Sequence, residues 1–515
     1  MTLTRALHRT LQQAPDSPMT TYRDRTHTHA DVFDRVSRLG GALRNLGVQD
    51  GDRVAILALN SDRYSDFLLG TAWAGAVVNP QNIRWAAPEL AFALKDSETG
   101  VLFVDDMFAQ LGEQLLAEVD HLHTLVHVGE GETPPGMLSM EELISGGDPI
   151  PDRAPRDHEM VGLFYTGGTT GQPKGVMLSA ANLLTSALGS MASGSFLASN
   201  SRYLHAAPMF HLADLAAWFS ALQMGCEHVI VSHFDVKLVL QAIQDHKVTD
   251  VLLVPTMIQL VTDDPSLADY DVSTLERIIY GASPIDDDLL ARAMRAFPNV
   301  GFSQAYGMTE LSPVATLLSA EDHIDTPGQP SRRRSAGRAA PHAMVTIVRE
   351  DGSPADTREV GEIVVAGPHV MLGYWRRPEE TAAALKSDGM HTGDAGYLDA
   401  DGYLYVVDRI KDMIISGGEN IYSAEVENAL CAHPAVAAAA VIGVPDEKWG
   451  EIVHAVVVRQ PGSDVSAEEL VAFARDRIAG YKVPRVVTFA DALPVSGAGK
   501  VLKRVLRDEL AGTRA

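Results

Sequence analysis

The chain has 515 residues, too many for one hydrophobic core, so several subdomains are expected. Its 42 basic and 67 acidic residues leave a net charge of −25, which disfavours nucleic acid, a partner that needs a basic field. Arg332, Arg333 and Arg334 are the local exception and read as a solvated loop. The longest apolar stretch, residues 436–444, is too short to span a bilayer, and Arg5, His8 and Arg9 interrupt any signal-peptide core. No membrane partner and a cytoplasmic location are expected. The two cysteines, Cys226 and Cys431, cannot form a disulfide framework; both lie in apolar sequence and read as core filler.

Along the chain, short apolar runs predict strands at 54–59, 101–104, 124–128, 228–231 and 251–255. Helical patterns at 64–76 and 238–246 lie between them. That alternation predicts an α/β fold, with parallel sheets covered by helices. From about residue 343, short strands and the turns Asp351-Gly352 and Asp401-Gly402 predict a small β-rich subdomain. A third, α+β unit begins after Asp408: a helix from Ser423, taken as its N-cap, then strands at 437–442 and 452–458 and a helix at 467–478. The domain boundary is therefore set between residues 1–409 and 410–515.

Tyr165-Thr166-Gly167-Gly168-Thr169-Thr170-Gly171-Gln172-Pro173-Lys174-Gly175 follows the apolar run 161–164, as a loop leaving a strand would. Glycines let the backbone approach an anion, and N–H groups, Thr hydroxyls and the cation of Lys174 suit phosphate oxygens. It is no Walker loop, because Lys174 follows Pro173 and precedes Gly175. A flexible linker is the alternative reading, but it would not require the Pro-Lys-Gly ending.

Downstream, Pro208-Met209-Phe210-His211-Leu212-Ala213-Asp214-Leu215-Ala216-Ala217-Trp218 reads as a loop entering an apolar helix. His211, Asp214 and Trp218 would share one face at i, i+3, i+7. Asp214 could instead pair with His211 or cap the helix.

Further strings follow in order: Tyr280-Gly281-Ala282-Ser283-Pro284, Gln304-Ala305-Tyr306-Gly307-Met308-Thr309-Glu310, His391-Thr392-Gly393-Asp394, Asp408-Arg409-Ile410-Lys411-Asp412, Ser416-Gly417-Gly418-Glu419-Asn420-Ile421 and Gly499-Lys500. With the loop at 165–175, these resemble the adenylate-forming superfamily. It contains acyl- and aryl-CoA synthetases, firefly-type luciferases and peptide-synthetase adenylation domains.

The resemblance implies activation of a carboxylic acid by ATP to an acyl-adenylate, with loss of pyrophosphate, and then transfer to coenzyme A. An aryl or medium-chain acid is expected. The alternative acceptor is a carrier protein, an amine or another small nucleophile. The implied partners are the acid, ATP with Mg²⁺, and coenzyme A; monomer and homodimer both stay open.

By resemblance, Thr166, Gly167, Gly168, Thr169, Thr170, Gly171 and Lys174 hold the β- and γ-phosphates. Thr309 bonds the α-phosphate and Glu310 coordinates Mg²⁺, a hard ion that prefers oxygen. Ala282, Ser283, Tyr306 and Gly307 surround the adenine, while Asp394 and Arg409 meet the ribose. Lys500 bridges the carboxylate and the α-phosphate, His211 gates the acid pocket it forms with Asp214 and Trp218, and the C-terminal domain is mobile about a hinge at Lys411. Rotation exchanges Lys500 for the loop of Gly417 and Gly418, which leaves a channel for pantetheine. Trp449, Tyr481, Arg84 and Lys482 look suited to the coenzyme A nucleotide, although both aromatic residues could equally be ordinary packing. Here Ala498-Gly499-Lys500 replaces the family's Ser-Gly-Lys or Thr-Gly-Lys.

Overall fold

The computed structural model describes residues 1–512 except 168–172, 329, 418, 447 and 496–500. The chain divides into two compact units: Met1–Val345 with Val365–Met390, and Thr346–Val364 with His391–Ala515.

The first unit is built on two sheets. In the nine-stranded sheet, Pro18–Tyr22, Glu227–Ile230, Arg202–His205, Asp250–Leu252, Arg277–Gly281 and Gly301–Gly307 run parallel in that spatial order. Arg25–Thr28 flanks one side, and Val314–Leu318 with Arg338–Ala339 the other, all antiparallel. The eight-stranded sheet runs parallel through Leu138–Ser139, Thr124–His127, Val101–Val104, Arg53–Leu57, Val77–Pro80 and Met160–Thr166. Lys174–Ser179 and Gly373–Tyr374 then complete it antiparallel.

These strands are legible because both faces are covered. Residues of Val101–Val104 are all buried, which is why the sequence is a continuous apolar run rather than an alternation. Parallel strands need helical crossovers, and Asp62–Trp73, Ala87–Asp96 and Val236–His246 supply them. The consequence for function is directional. All the parallel strands of a sheet end at the same edge, so the loops after them converge there.

The second unit takes Leu404–Arg409 and most of Gly361–Ala366 and Gly389–Leu398, strands of one sheet. In a further sheet Val436–Asp446 pairs with Gly450–Arg459, which also pairs with Ile414–Ser416 and with Val486–Phe489, and Glu419–Ile421 pairs with Ile414–Ser416. Helices Ser423–Cys431 and Ala467–Arg475 cover it, with Val426, Leu430, Val441, Val453 and Leu470 in the core.

Two sequence expectations are corrected here, after one difference in grouping. Residues 391–409, expected with the N-terminal domain, group by compactness with the C-terminal unit. The reason is visible at the join, where the Asp408 carboxylate accepts from Ser423 Oγ at 2.5 Å and from the Ala424 N–H at 3.3 Å. That carboxylate also does the capping expected of Ser423, which lies inside the helix, with Tyr422 at the N-cap. Finally, Cys226 is buried but Cys431 is exposed, at the last position of its helix.

Candidate active site

The strands on either side of the segment read as a phosphate loop pair antiparallel, with Thr166 opposite Lys174. The strand Lys174–Ser179, not a helix, follows the segment, so no helix dipole points at it. Gly167 and Lys174 are described; Gly168, Thr169, Thr170 and Gly171 lie outside the described residues. The Lys174 ammonium forms an ion pair with Glu380 and lies 5.3 Å from the centre of the Tyr374 ring. Glu380 also accepts from Arg377 at 2.8 Å, and Lys174 and Arg377 hold its carboxyl below the usual carboxylate range.

Across from this hairpin, the C-terminal ends of Arg277–Gly281 and Gly301–Gly307 are adjacent, in register from Arg277↔Gly301 to Gly281↔Ala305. That pairing brings the Ala282-Ser283 turn beside Tyr306 and Gly307, although the two segments are over twenty residues apart in sequence. A Cβ at Gly307 would stand 1.9 Å from the Pro313 carbonyl oxygen, so only glycine lets the strand bend into the Thr309–Leu311 turn. Glu310 in that turn is 7% exposed. Its Oε1 accepts from the Tyr374 hydroxyl at 2.8 Å, and its backbone oxygen accepts from the Met371 N–H at 2.9 Å.

One buried carboxylate is a donor set that fits Mg²⁺, which is commonly held by one or two carboxylates together with substrate phosphates. Among the described residues, no group of three or more His, Cys, Asp or Glu forms a metal cage.

The expected acid-pocket wall is corrected by the structure. His211 is half-buried at the N-cap of Leu212–Met224. Asp214 and Trp218, by contrast, are each 0% exposed and present no surface to a pocket. Asp214 Oδ2 bonds His205 Nδ1 at 2.6 Å, and the Tyr203 hydroxyl donates to Oδ1 at 3.3 Å. The Trp218 indole donates to Ser65 Oγ at 3.0 Å. The i, i+3, i+7 spacing is real, but this stripe packs against neighbouring elements, since the helix is apolar nearly all round. Ala217 is wholly buried too, and Ala213 is half-buried.

Beside the His211 segment, Leu59, Asn60, Arg84, Pro208, His233 and Met257 line a cavity of about 370 Å³. Asn60, which sequence reasoning missed, donates to the Ala207 carbonyl at 2.9 Å and accepts from the Met209 N–H at 2.8 Å. It thereby ties the loop that leads to His211. Tyr374 was missed as well; Tyr374-Trp375-Arg376-Arg377 is an aromatic and basic cluster that could have flagged it.

In the second unit, Asp394 and Arg409 face each other across paired strands, with Arg409 Nε 3.0 Å from Asp394 Oδ1. Lys411 lies in the single turn Ile410–Asp412 between two strands. Gly417 adopts φ +63°, and a Cβ there would stand 2.9 Å from the Trp449 ring. Trp449 carries the cations of Lys448 and Arg485 at 5.0 and 4.5 Å from its centroid. Tyr481 is exposed, while Lys482 is bonded to both carboxylate oxygens of Glu425 at 2.7 Å. Gly418 and Lys500 lie outside the described residues.

The profile of the family described as AMP-binding enzyme matches residues 7–375, and that of the AMP-binding enzyme C-terminal domain matches residues 425–500. A feruloyl-CoA synthase of Amycolatopsis sp. is 41% identical over 484 residues, covering 93% of each chain. A fatty acid–[acyl-carrier-protein] ligase of Streptomyces coeruleorubidus is 36% identical over 510 residues, covering 98% of this chain and 95% of its own. Among solved structures, o-succinylbenzoate CoA synthetase from Bacillus subtilis, in complex with its acyl-adenylate intermediate, aligns with a TM-score of 0.86 at 32% identity over 98% of both chains. The chain belongs to the AMP-binding enzyme family, the adenylate-forming superfamily of acyl- and aryl-CoA synthetases.

Proposed function

We propose that the chain is an AMP-forming ligase joining an aryl acid, of the hydroxycinnamate class, to coenzyme A. The acid's carboxylate attacks the α-phosphorus of ATP and pyrophosphate leaves. The coenzyme A thiolate then attacks the acyl carbonyl and AMP leaves. The observation that carries the adenylation step is the set Glu310–Tyr374–Lys174, one carboxylate and one cation held by the same tyrosine. Joining two anions requires fixed positive charge where negative charge gathers, which is what this set offers.

In this reading Glu310 holds Mg²⁺, whose charge offsets that of the phosphates. Thr166, Lys174 and the intervening loop hold the β- and γ-phosphates, and Thr309 the α-phosphate. Ala282, Ser283 and Tyr306 flank the adenine, and Asp394 and Arg409 bind the ribose. His211 stands where the acid's carboxyl enters. Lys500 serves the first half-reaction and the loop of Gly417 and Gly418 the second, exchanged by rotation of residues 410–515 about Lys411. Arg84, Lys482, Trp449 and Tyr481 receive the coenzyme A nucleotide. The aryl assignment is supported by the feruloyl-CoA synthase relative at 41% identity.

The ligase relative named for a carrier protein favours a second reading, in which the acyl group passes to a carrier's phosphopantetheine. Pyrophosphate release across hydroxycinnamic, benzoic and medium-chain fatty acids, with and without coenzyme A, tests both. Hydroxycinnamates are expected to give the highest kcat/KM, with thioester formed from free coenzyme A. Adenylate formation without thioester, relieved by a carrier protein, would establish the second reading instead.

A further inference from the structure

The cation of the phosphate hairpin already has an anion. Lys174 begins the strand Lys174–Ser179, where the hairpin re-enters its sheet, and its ammonium is paired with Glu380. Beneath the pair lies the Tyr374 ring, held in place by strand pairing: Tyr374 lies opposite Val176, and the Trp375 N–H donates to the Gly175 carbonyl at 2.8 Å. The same segment reaches Glu310 through the Tyr374 hydroxyl and the Met371 N–H. The lysine is therefore fixed from two sides, by an aromatic face and by a carboxylate, while the groups around it are fixed by backbone.

Glu380 has a second partner besides the lysine. It lies in the first turn of Pro378–Ala384, and Arg377 donates to its other carboxylate oxygen at 2.8 Å. The partners also sit at the solvent boundary, with side chains 21% and 34% exposed. An ion pair so placed is weak and screened, whereas a triphosphate brings several charges to the same ammonium.

We infer that Glu380 is a resident counter-ion of Lys174. It holds the lysine over Tyr374 in the nucleotide-free enzyme, yields it to the terminal phosphates of ATP, and competes for it again when pyrophosphate must leave. Glu380 is thus a positioning residue acting through Lys174, and it opposes the binding it prepares. This inference rests on the reading of Lys174 as a ligand of the β- and γ-phosphates.

Calorimetric titration of the full-length enzyme tests it, using Mg·ATP without acid, pyrophosphate, and AMP. The wild type is compared with Glu380→Gln, Lys174→Ala and the double variant, each first shown to melt as the wild type does. Glu380→Gln is expected to tighten ATP and pyrophosphate about threefold, within the range of an exposed ion pair, and to leave AMP unchanged. In the Lys174→Ala background the same substitution should change nothing. A purely structural glutamate would weaken all three ligands or none. The inference is overturned if Glu380→Gln fails to tighten ATP while Lys174→Ala weakens it, or if the tightening persists without Lys174. If Lys174→Ala leaves ATP binding unaltered, the phosphate role of Lys174 falls, and the counter-ion role with it.

Discussion

Asp214 is a carboxylate placed where no water reaches it, and its neighbours account for both of its oxygens. His205 bonds one at 2.6 Å and Tyr203 the other. His205 in turn bonds His228 Nδ1 through Nε2 at 3.0 Å, so the acid anchors a buried chain of rings. Asp214→Ala would leave a buried His205 nitrogen without its partner, and a loss of about 1–3 kcal/mol is expected in urea unfolding. The order of kcat/KM among acids should not change; a reordering would return Asp214 to the substrate pocket. Glu310 is the opposite case, a buried carboxylate whose bond from Tyr374 occupies only one oxygen. Glu310→Gln is expected to slow single-turnover adenylate formation about 10²–10³-fold, and an unchanged rate would remove it from the metal role. Both residues were visible as candidates in the sequence. What the sequence did not carry was their surroundings: His205 and Tyr203 belong to a strand that only the folded sheet brings under the helix, and Tyr374 arrives from 64 residues beyond Glu310.

At the level of elements, the predicted strands and helices match the structure closely where the apolar pattern is strong: a run buried on both faces at Val101–Val104, and one buried helical face at Val236–His246. Boundaries that depend on remote partners were not legible. Ser423 carries the residue type of an N-cap, yet Asp408 supplies the oxygen, because the chain reverses between them and brings a carboxylate to the helix start. The segment before Lys174 was read as a loop leaving a strand; the strand that follows, Lys174–Ser179, pairs with Met160–Thr166, a partnership that no local pattern marks.

The glycines of the second unit carry an expectation of their own. Gly417 has a left-handed backbone and a Trp449 ring at the distance where a Cβ would stand, and Gly418 follows it. Lys500→Ala is expected to abolish adenylate formation while still converting a supplied acyl-adenylate to thioester. Gly418→Leu should retain the first half-reaction and lose the second. Equal loss of both half-reactions in both folded variants would refute exchange of the two loops by rotation.

At the scale of the whole molecule, one chemical pattern recurs: histidines whose burial disfavours the charged ring. His369 is 0% exposed with neither ring nitrogen bonded, and burial, with His342 beside it at 4.5 Å between ring centroids, lowers its pKa to about 3. Burial also lowers His342, His29, His323 and, most strongly, His228. All five belong to the first unit. An unfolded histidine takes its proton near pH 6.5, so below that pH the unfolded chain binds more protons than the native one, and stability falls as pH falls.

The depressed carboxylates act in a different window. Glu141, lowered to about 2 against its desolvation by bonds from Arg35 and Arg63, withdraws its contribution only below about pH 4.5. Each of these histidines contributes a slope of up to about 1.4 kcal/mol per pH unit once the unfolded ring is protonated. Calorimetric melts between pH 7 and 5 should show Tm dropping on acidification. His369→Leu should flatten the slope, because an apolar side chain of similar size has no proton to refuse and leaves no ring nitrogen unpaired. A wild-type Tm that is level from pH 7 to 5, or a slope untouched by His369→Leu, would mean that these rings are already hydrogen-bonded to water in solution and that the core is wetter than its packing implies.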